Sequence, residues 1–458
     1  MEKEIVKNKI KSSQLIPLSF LAAIVIGTLV LMLPISSATG EWTDPITALF
    51  TATTSLCVTG LVVVDTFSFW SLFGKIFILI MIQLGGLGII TVMSVLMLAM
   101  HKRFSLSHVV ILHDAFNLST LVGLRRFLTK VFISTLIVEG FGAFIYSFVF
   151  VRQFGFVKGI WVSVFTAISA FCNAGIDIIG PDSLISYNDN WLIMLNTIML
   201  IVLGGLGYVV WFDMYSSVKE GIRKGFSIRR MFRRFSEHSK LVIVLTVSLI
   251  LSGGIIVFIT EYTNPNTIGN MALPDKILNS IFQSVTFRTA GFAAVPQNLL
   301  RDDTCALGAI FMFIGGSPVG TAGGVKTITF FVVLLNAVSY IRSRDETVIF
   351  SRKISKELIQ KSTAILVVSF SVTFIMLILL LFTNPVGLTD AMYETFSATA
   401  TVGLSRALTP TLNTAGRLII IVCMYLGRIG PISMALFFNY KSSGKNSVSF
   451  TKGNYFVG

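Results

Sequence analysis

The chain has 458 residues, of which 54% are hydrophobic and only 13% are charged, and its mean hydropathy is +0.82. An average soluble domain is about 25% charged, so these values exclude an ordinary soluble enzyme and a disordered chain. The few charges are nevertheless unbalanced, with 36 Lys and Arg against 22 Asp and Glu and a net charge of +14.

Eight stretches are long and apolar enough to cross a bilayer, for which a helix needs about 20 residues. In chain order they are 15–37, 76–100, 131–151, 191–212, 241–260, 305–336, 362–382 and 418–440. The first follows four lysines, as in a signal peptide, but it is longer than the roughly 7–15 apolar residues of a signal core. A retained span is therefore favoured over a cleaved signal.

Twenty-six of the 36 basic residues lie in the two tails and in three connecting loops, 102–130, 219–240 and 342–361. The loops between the two spans of each pair carry mainly Asp and Glu. The positive-inside rule then predicts a multi-pass protein of the cell membrane with both termini cytoplasmic. This bias explains the basic surplus without nucleic acid, so no nucleic-acid partner is predicted. The four Cys form no CxxC pair, and no catalytic motif is present, so an enzyme is not predicted.

Four shorter, semi-polar stretches lie between the spans of successive pairs, near 45–61, 160–180, 277–295 and 391–404. Each contains a Phe, then small and hydroxyl residues, then a Gly followed by a bulky apolar residue. The four glycines are Gly60, Gly175, Gly291 and Gly403, at intervals close to 115 residues. The chain therefore reads as four repeats, 15–100, 127–217, 240–340 and 361–440, and a tail, 441–458, that is a possible dimer contact.

Each short stretch has room for about three helical turns and a few extended residues. Non-helical backbone at membrane depth is tolerated only where it is buried in protein or lines a watery path. Four copies around one axis would bring carbonyl oxygens together in a ring that replaces the hydration shell of a monovalent cation. The alternative is that these stretches are packing loops with Gly as a turn residue. Four copies at a nearly constant spacing favour the ring over packing loops. The sequence therefore predicts an all-α membrane protein whose four repeats have a pseudo-fourfold arrangement like that of an ion channel.

The second span of repeat 3 contains ten small or helix-breaking residues in succession. They are Gly315, Gly316, Ser317, Pro318, Val319, Gly320, Thr321, Ala322, Gly323 and Gly324. A continuous helix is unfavourable there, which predicts a broken helix whose loop acts as a gate; a kinked, packed helix is the alternative.

Three cations lie at membrane depth, where a charge needs a partner or water. Arg428 is predicted to hold the loop by donating to its carbonyls, and Arg288 to anchor a filter segment from behind. Lys326 follows the loop directly, and Glu139 and Asp213 are candidate carboxylate partners for these cations. Glu139 is alternatively a coupling-ion site.

With these residues the chain resembles the Trk/Ktr/HKT superfamily of cation transporters, and within it the membrane subunits of the bacterial Ktr branch, over residues 15–458. The resemblance implies a selectivity filter that binds potassium. Its residues would be Val58, Thr59, Gly60, Asn173, Ala174, Gly175, Thr289, Ala290, Gly291, Thr401, Val402 and Gly403. It also implies that 315–324 is the gate and that Arg428 is a barrier arginine. Gly at position 60 would be associated with potassium permeation, whereas Ser at that position would be associated with sodium permeation.

The resemblance further implies a homodimer, a cytosolic ring of nucleotide-binding regulatory subunits of the KtrA type, and sodium as an activator. Two features depart from the pattern. Only Thr401-Val402-Gly403 is like a standard potassium-channel signature, and Pro318 and Val319 interrupt the small residues of the loop. A sodium-permeable channel or a sodium/potassium symporter therefore stays open as an alternative, as does a non-transporting membrane scaffold or receptor.

Overall fold

The computed structural model of the chain describes residues 12–88, 91, 124–225 and 227–430. These residues are mainly helical, and the two strands among them, Val348–Ile349 and Arg352–Lys353, form a small antiparallel hairpin. The predicted all-α class is therefore confirmed. The tail 441–458, predicted as a possible dimer contact, lies outside the described residues.

Each repeat contributes three helices, which we call its outer, short and inner helix in chain order. The outer helices are Ser12–Met32, Leu124–Phe154, Glu237–Glu261 and Lys356–Thr383. The short helices are Pro45–Cys57, Phe156–Cys172, Leu273–Phe287 and Leu388–Thr399. The inner helices are Leu72–Leu87, Trp191–Leu206, Asp302–Phe313 and Thr414–Ile429.

Among the described residues, four further helices lie between these, Thr66–Phe69, Tyr208–Arg223, Ile228–Arg234 and Thr327–Ile341. Single 3₁₀ turns at Pro34–Ser36, Ile185–Tyr187, Gln297–Leu299 and Thr409–Thr411 connect the helices within the repeats.

Three inner helices begin at the same kind of cap. The side chains of Ser71, Asn190 and Asn413 accept hydrogen bonds from the backbone N–H groups three residues further on, at 3.2, 3.3 and 2.8 Å. Ser and Asn are favoured caps because their side chains bind N–H groups that have no partner within the helix. The sequence therefore sets where the chain turns back after each short helix.

The packing of the repeats closes a ring. Within each repeat, the outer helix contacts the short helix, and the short helix contacts the inner helix. Each inner helix also contacts the short helix of the next repeat, and that of repeat 4 contacts the short helix of repeat 1. This cyclic order is the pseudo-fourfold arrangement that the repeats predict, with the short helices at the centre.

Three described helices have the length and apolarity of a membrane span, Arg126–Phe154, Glu237–Glu261 and Lys356–Thr383. A fourth qualifies if Trp191–Leu206 and Tyr208–Arg223, which are bent by 101°, count as one span. The inner helices have only 12 to 16 residues. At 1.5 Å per residue they rise about 18–24 Å, less than the hydrocarbon thickness of about 30 Å. The predicted spans 76–100 and 418–440 continue into residues that lie outside the described ones.

Candidate functional site

The four repeat glycines meet backbone to backbone. A Cβ atom built on Gly60 would lie 2.5 Å from the carbonyl oxygen of Ala174, and one on Gly175 would lie 2.6 Å from that of Ala290. The same contact joins Gly291 to the carbonyl of Val402 at 2.7 Å, and Gly403 to the carbonyl of Thr59. Every glycine thus faces the carbonyl that precedes the glycine of the next repeat, and the fourth contact returns to repeat 1.

The backbone of the four segments follows one conformational pattern. The glycines have φ values of +102°, +64°, +79° and +94°, a region that side chains disfavour. Two residues before each glycine, Val58, Asn173, Thr289 and Thr401 are also left-handed, with φ between 52° and 66°. Asn tolerates this conformation, but for the β-branched Val58, Thr289 and Thr401 it is strained, so the surrounding structure imposes it in three repeats.

Hydroxyl groups of the short helices support these segments. Thr54 and Ser397, each six residues before its glycine, accept from the N–H of Gly60 and Gly403 at 3.0 Å. In the other two repeats, Ser169 and Thr286 donate to the carbonyls that follow the glycines. These bonds hold the extended backbone against the end of each short helix, which explains the Ser and Thr residues of the motif.

Several buried polar atoms of the segments have no hydrogen-bond partner among the described residues. They are the hydroxyls of Thr59, Thr289 and Thr401 and both amide atoms of Asn173. An unsatisfied buried polar group costs about 1–3 kcal/mol, so their retention fits a path for water or ions. The four triplets that end in these glycines, 58–60, 173–175, 289–291 and 401–403, contain no carboxylate. The C-terminal ends of the short helices add negative potential there, so the site suits a partly dehydrated monovalent cation.

A cavity of about 530 Å³ opens directly onto the four glycines. Three carboxylates line it, Asp65, Asp177 and Asp182, all from repeats 1 and 2. Asp177 accepts from the N–H of Ile179 at 3.3 Å. Burial raises the pKa of Asp177 to about 6, and a hydrogen bond from Ser183 opposes that rise. The negative charges give this vestibule an attraction for cations.

Inner-helix glycines let the short helices approach closely. A Cβ on Gly85 would touch the carbonyl oxygen of Leu56, one on Gly204 that of Phe171, and one on Gly427 that of Thr399. These carbonyls lie at the ends of the short helices of the same repeats. These glycines of the inner helices are therefore close-packing devices.

The second span of repeat 3 is broken, as predicted. The inner helix ends at Phe313, and the next helix begins at Thr327. Within the break, the N–H of Gly315 donates to Val325 O at 3.0 Å and the N–H of Thr327 to Gly316 O at 3.1 Å. The break is thus an ordered loop that folds back on its own start.

The tip of this loop rests on repeat 2. The N–H groups of Ser317 and Thr321 donate to Gly205 O at 2.9 Å and Gly204 O at 3.1 Å. The Thr321 hydroxyl donates to Phe171 O at 3.0 Å, at the end of the short helix of repeat 2. These bonds place the loop against the backbone that leads into the Gly175 segment.

Two cations bind adjacent carbonyls of the loop. Arg428 donates through Nη1 to Thr321 O at 2.6 Å, and through Nη2 to Gly85 O and to Gly86 O. Lys326 Nζ donates to Ala322 O at 2.6 Å. Arg428 therefore ties repeat 4 to the loop of repeat 3 and to the inner helix of repeat 1, the kind of contact that the sequence predicts for it.

The carboxylates considered as partners for the buried cations lie elsewhere. Glu139 accepts from Gln83 Nε2 at 3.2 Å, and Asp213 accepts from the N–H of Ser236 at 2.8 Å. Arg428 and Lys326 use carbonyl oxygens instead. Backbone acceptors at the ends of broken helices stabilise a cation without a carboxylate, which residue type alone does not reveal.

Arg288 follows the short helix of repeat 3 directly and is buried, with 6% of its surface exposed. It lines a small cavity together with Gly205 and Gly316. Its side chain thus lies between a glycine segment and the loop.

One break is absent from the sequence predictions. The predicted span 191–212 is helical only to Leu206, and Gly207, at φ +88°, turns the chain by 101° into the helix Tyr208–Arg223. The N–H of Tyr208 donates to Val319 O at 3.1 Å, and a Cβ on Gly207 would touch Pro318 O. The bend lies against the loop, and 191–212 therefore belongs to two helices rather than to the single helix that the sequence predicts.

Sequence reasoning also missed Asp65 and Asp177 in the vestibule. The sequence signal that could have found them is their position: Asp65 lies five residues after Gly60, and Asp177 lies two residues after Gly175. A carboxylate so close behind a pore segment has to lie near its mouth.

Comparison with known proteins identifies one family whose model matches almost the entire chain. A family model described as TrkH, cation transport protein, matches residues 5–449. The Ktr system potassium uptake protein B of Bacillus subtilis is 37% identical over 446 residues, covering 97% of this chain and 96% of that protein. The potassium/sodium uptake protein NtpJ of Enterococcus hirae is 33% identical over 436 residues, with 94% of each chain covered.

The solved structure of the potassium transporter TrkH from Vibrio parahaemolyticus has a similar fold. Its TM-score is 0.72, and the match covers 95% of this chain and 86% of that one at 15% sequence identity. At this identity the likeness concerns the fold alone, and it agrees with the cyclic order of the four repeats.

Proposed function

The chain belongs to the TrkH family of cation transport proteins, and on that premise we propose that it is the potassium-translocating subunit of a Ktr-type uptake system. The prediction that the chain is not an enzyme is confirmed by this membership, because the family consists of transport proteins. The membership also argues against a non-transporting scaffold or receptor. Potassium moves down its electrochemical gradient, without a chemical step, through the ring of the four glycine segments.

The cyclic contact of the four glycines carries this proposal. Each glycine faces the carbonyl before the next glycine, so the four segments present their backbone to a common centre. Such a ring supplies oxygen ligands in place of the hydration shell of the ion. The vestibule acids collect cations at its mouth, and the triplets ending in Gly60, Gly175, Gly291 and Gly403 form the filter.

Potassium is the proposed ion because Gly60 occupies the position at which the superfamily distinguishes potassium from sodium. The relative from Enterococcus hirae is named for both ions, which keeps a sodium-permeable pore or a symporter as the second candidate. Sodium has the further proposed role of an activator.

The loop 315–324 is the proposed gate. Its tip is held by backbone bonds to repeat 2 and by Arg428 and Lys326. Opening requires that these bonds break together, so the loop has two discrete arrangements. Arg428 also adds a positive barrier near the path while the loop is held.

Cytosolic nucleotide-binding subunits of the KtrA type are the proposed regulators, and a homodimer is the proposed assembly. With both termini cytoplasmic, the basic loops 219–240 and 341–361 lie on one side of the membrane. The structure joins these loops, since Arg352 forms a 2.5 Å ion pair with Glu237. A continuous basic surface is a suitable docking face for such partners; orientation of the chain in the membrane is its other use.

Rubidium uptake by proteoliposomes that contain the full chain tests the proposed function. We expect uptake of rubidium, competed by potassium much better than by sodium. Gly60→Ser should weaken the preference over sodium, because its φ of +102° and its contact with Ala174 O leave no room for a side chain. Gly140→Ser is the matched control, since a Cβ there meets nothing within 4 Å.

Equal uptake of sodium and rubidium by the wild-type chain would contradict potassium selectivity. No ion-dependent flux in any variant, including one with the loop shortened, would contradict transport through this chain.

A further inference from the structure

A crevice of about 700 Å³ lies apart from the ion path, between the outer helix of repeat 2 and the bent helix Tyr208–Arg223. One wall is a single helix face, Lys130, Ile133, Ser134 and Ile137. The other wall is one face of the bent helix, from Trp211 to Arg223. The two helices diverge because Gly207 turns the second one away, so the crevice opens outward.

The lining residues of the crevice divide by type into apolar and charged side chains. Ile133, Ile137, Trp211, Phe212 and Tyr215 give it apolar walls, and Ile137 and Tyr215 expose 65% and 68% of their surfaces. The charged side chains include three cations, Lys130 on the outer helix and Lys219 and Arg223 on the bent helix. An elongated ligand with an apolar body and an anionic head fits this division.

The single carboxylate of the lining is already engaged. Glu220 accepts from Lys224 at 2.6 Å and from Arg234 at 2.8 Å, and neither of these cations lines the crevice. Lys219 Nζ lies over the Tyr215 ring at 5.9 Å from its centroid. The crevice thus keeps a net positive charge that its own lining does not neutralise.

Among the residues that the structure describes, none supplies a free carboxylate to the crevice lining. The longer segments outside the described residues are 1–11, 92–123 and 431–458, and each has more Lys and Arg than Asp and Glu. Basic segments do not complement a basic crevice, whether they come from this chain or from a second copy. The position on a membrane protein, the apolar walls and the basic rim instead match a lipid of the leaflet.

We propose that the crevice binds an anionic phospholipid, with the phosphate at Lys130, Lys219 and Arg223 and the acyl chains along Ile137 and Trp211. The site goes beyond the proposed transport function. Under the proposed orientation it faces the cytoplasmic leaflet, where the basic loops lie.

The site is connected to the loop of repeat 3 through a short path. The Trp211 indole donates to Leu203 O at 3.0 Å, across the bend at Gly207. One turn earlier, Tyr208 donates its N–H to Val319 O of the loop, and its hydroxyl bonds to Thr135 at 3.2 Å. A lipid that wedges the two walls apart therefore acts on the same bend that supports the loop.

Fluorescence quenching of Trp211 by brominated lipids tests the site without a transport assay. The full chain is reconstituted with brominated phosphatidylglycerol or brominated phosphatidylcholine at equal mole fraction, and the Trp211 signal is the difference from Trp211→Phe. Each basic residue near a membrane surface contributes to the attraction of anionic lipid, so three of them should give at least about a tenfold preference for phosphatidylglycerol.

The triple variant Lys130→Gln, Lys219→Gln, Arg223→Gln should lose that preference. All three side chains are exposed, so folding does not depend on them. The matched triple variant Arg352→Gln, Lys356→Gln, Lys361→Gln removes exposed cations that do not line the crevice, and it should keep the preference.

Four outcomes would overturn the proposal. They are equal quenching by the two lipids, a preference that survives the first triple variant, a Trp211 shielded from both lipids by protein, and loss of the preference in excess inorganic phosphate. The last would assign the cations to free phosphate rather than to lipid. Because the readout is quenching, failure of this site is distinguishable from failure of the transport function.

Discussion

The four repeats are alike in the segments proposed as the filter, but they differ from one another in the inner helices. In the filter, all four glycines have positive φ, and each faces the carbonyl before the next one. Among the inner helices, three end at left-handed glycines, Gly88, Gly207 and Gly430, whereas that of repeat 3 ends at Ile314 and opens into a loop.

The difference shows which task needs symmetry. Equal ligands around a dehydrated cation require four matching segments. A gate needs a single movable element, and four loops of this kind would crowd one another. Repeat 3 supplies the loop, while repeats 2, 4 and 1 supply its support through Gly204, Arg428 and the fixed end of the first inner helix. Substitutions in the ring of glycine segments should therefore lower ion flux, and substitutions or deletions in the loop should raise it.

The largest effect is expected for Gly291→Ala. A Cβ there would lie 2.7 Å from Val402 O and 2.9 Å from Gly175 Cα, at a φ of +79°. The ring must distort, and rubidium uptake by proteoliposomes should fall about a hundredfold. Gly180→Ala is the control, because it lines the same vestibule and a Cβ there meets nothing within 4 Å. Similar uptake in the two variants would show that the ring does not carry the ion.

Deletion of residues 318–322 should act in the opposite direction. It removes the carbonyl that Arg428 holds and the Thr321 bond to Phe171 O. With the loop shortened, uptake without regulatory subunits should rise at least about tenfold, since one tenfold step corresponds to about two hydrogen bonds and the deletion removes more than two of those that hold the loop. Adding Gly291→Ala to the deletion should return uptake to a low level. Unchanged uptake in the deletion variant would argue against the loop as a gate.

A smaller gain is expected for Gly207→Ala. Its Cβ would touch Pro318 O of the loop, whereas one on Gly430 meets nothing within 4 Å. The φ values are +88° and +84°, so both substitutions carry the same backbone strain of about 1–2 kcal/mol. Gly207→Ala should raise uptake about threefold more than Gly430→Ala, because only the former displaces the loop. Equal effects of the two variants would point to strain alone.

The smallest effect concerns the vestibule. Asp177 has a pKa raised by burial to about 6, so it is negative above that pH and neutral below it. Its negative charge attracts cations, and uptake should therefore fall about twofold as the outer pH drops from about 7.5 to about 5. Asp177→Asn should remove this pH dependence, whereas Asp182→Asn should retain it. If uptake by the wild-type chain does not fall at low pH, the charge of Asp177 does not contribute to the attraction of cations.

Much of the fold follows from local sequence. The constant spacing of the four glycines predicts the repeats, and the succession 315–324 predicts the break in repeat 3 because Gly and Pro disfavour a helix wherever they are placed. Both signals are local and need no knowledge of neighbours. The lengths of the inner helices were less predictable, because apolar residues continue past the glycine at which the helix ends.

The contacts between repeats were not predictable in the same way. Left-handed Val58 and Thr401 contradict the preference of β-branched residues, so residue type alone does not predict that conformation. Pro318 of another repeat packs against the bend at Gly207, a contact that residue type does not reveal. Likewise, Arg428 binds carbonyls more than 100 residues away, which a search for carboxylates among polar residues does not find.

Anomalous diffraction from crystals of the full chain grown in rubidium tests the central claim most directly. The account predicts a rubidium peak on the axis of the ring, among the carbonyls of Thr59, Ala174, Ala290 and Val402, and its replacement by potassium but not by sodium. Rubidium that binds only in the acidic vestibule, with none within the ring, would contradict the claim that the four glycine segments form the selectivity filter.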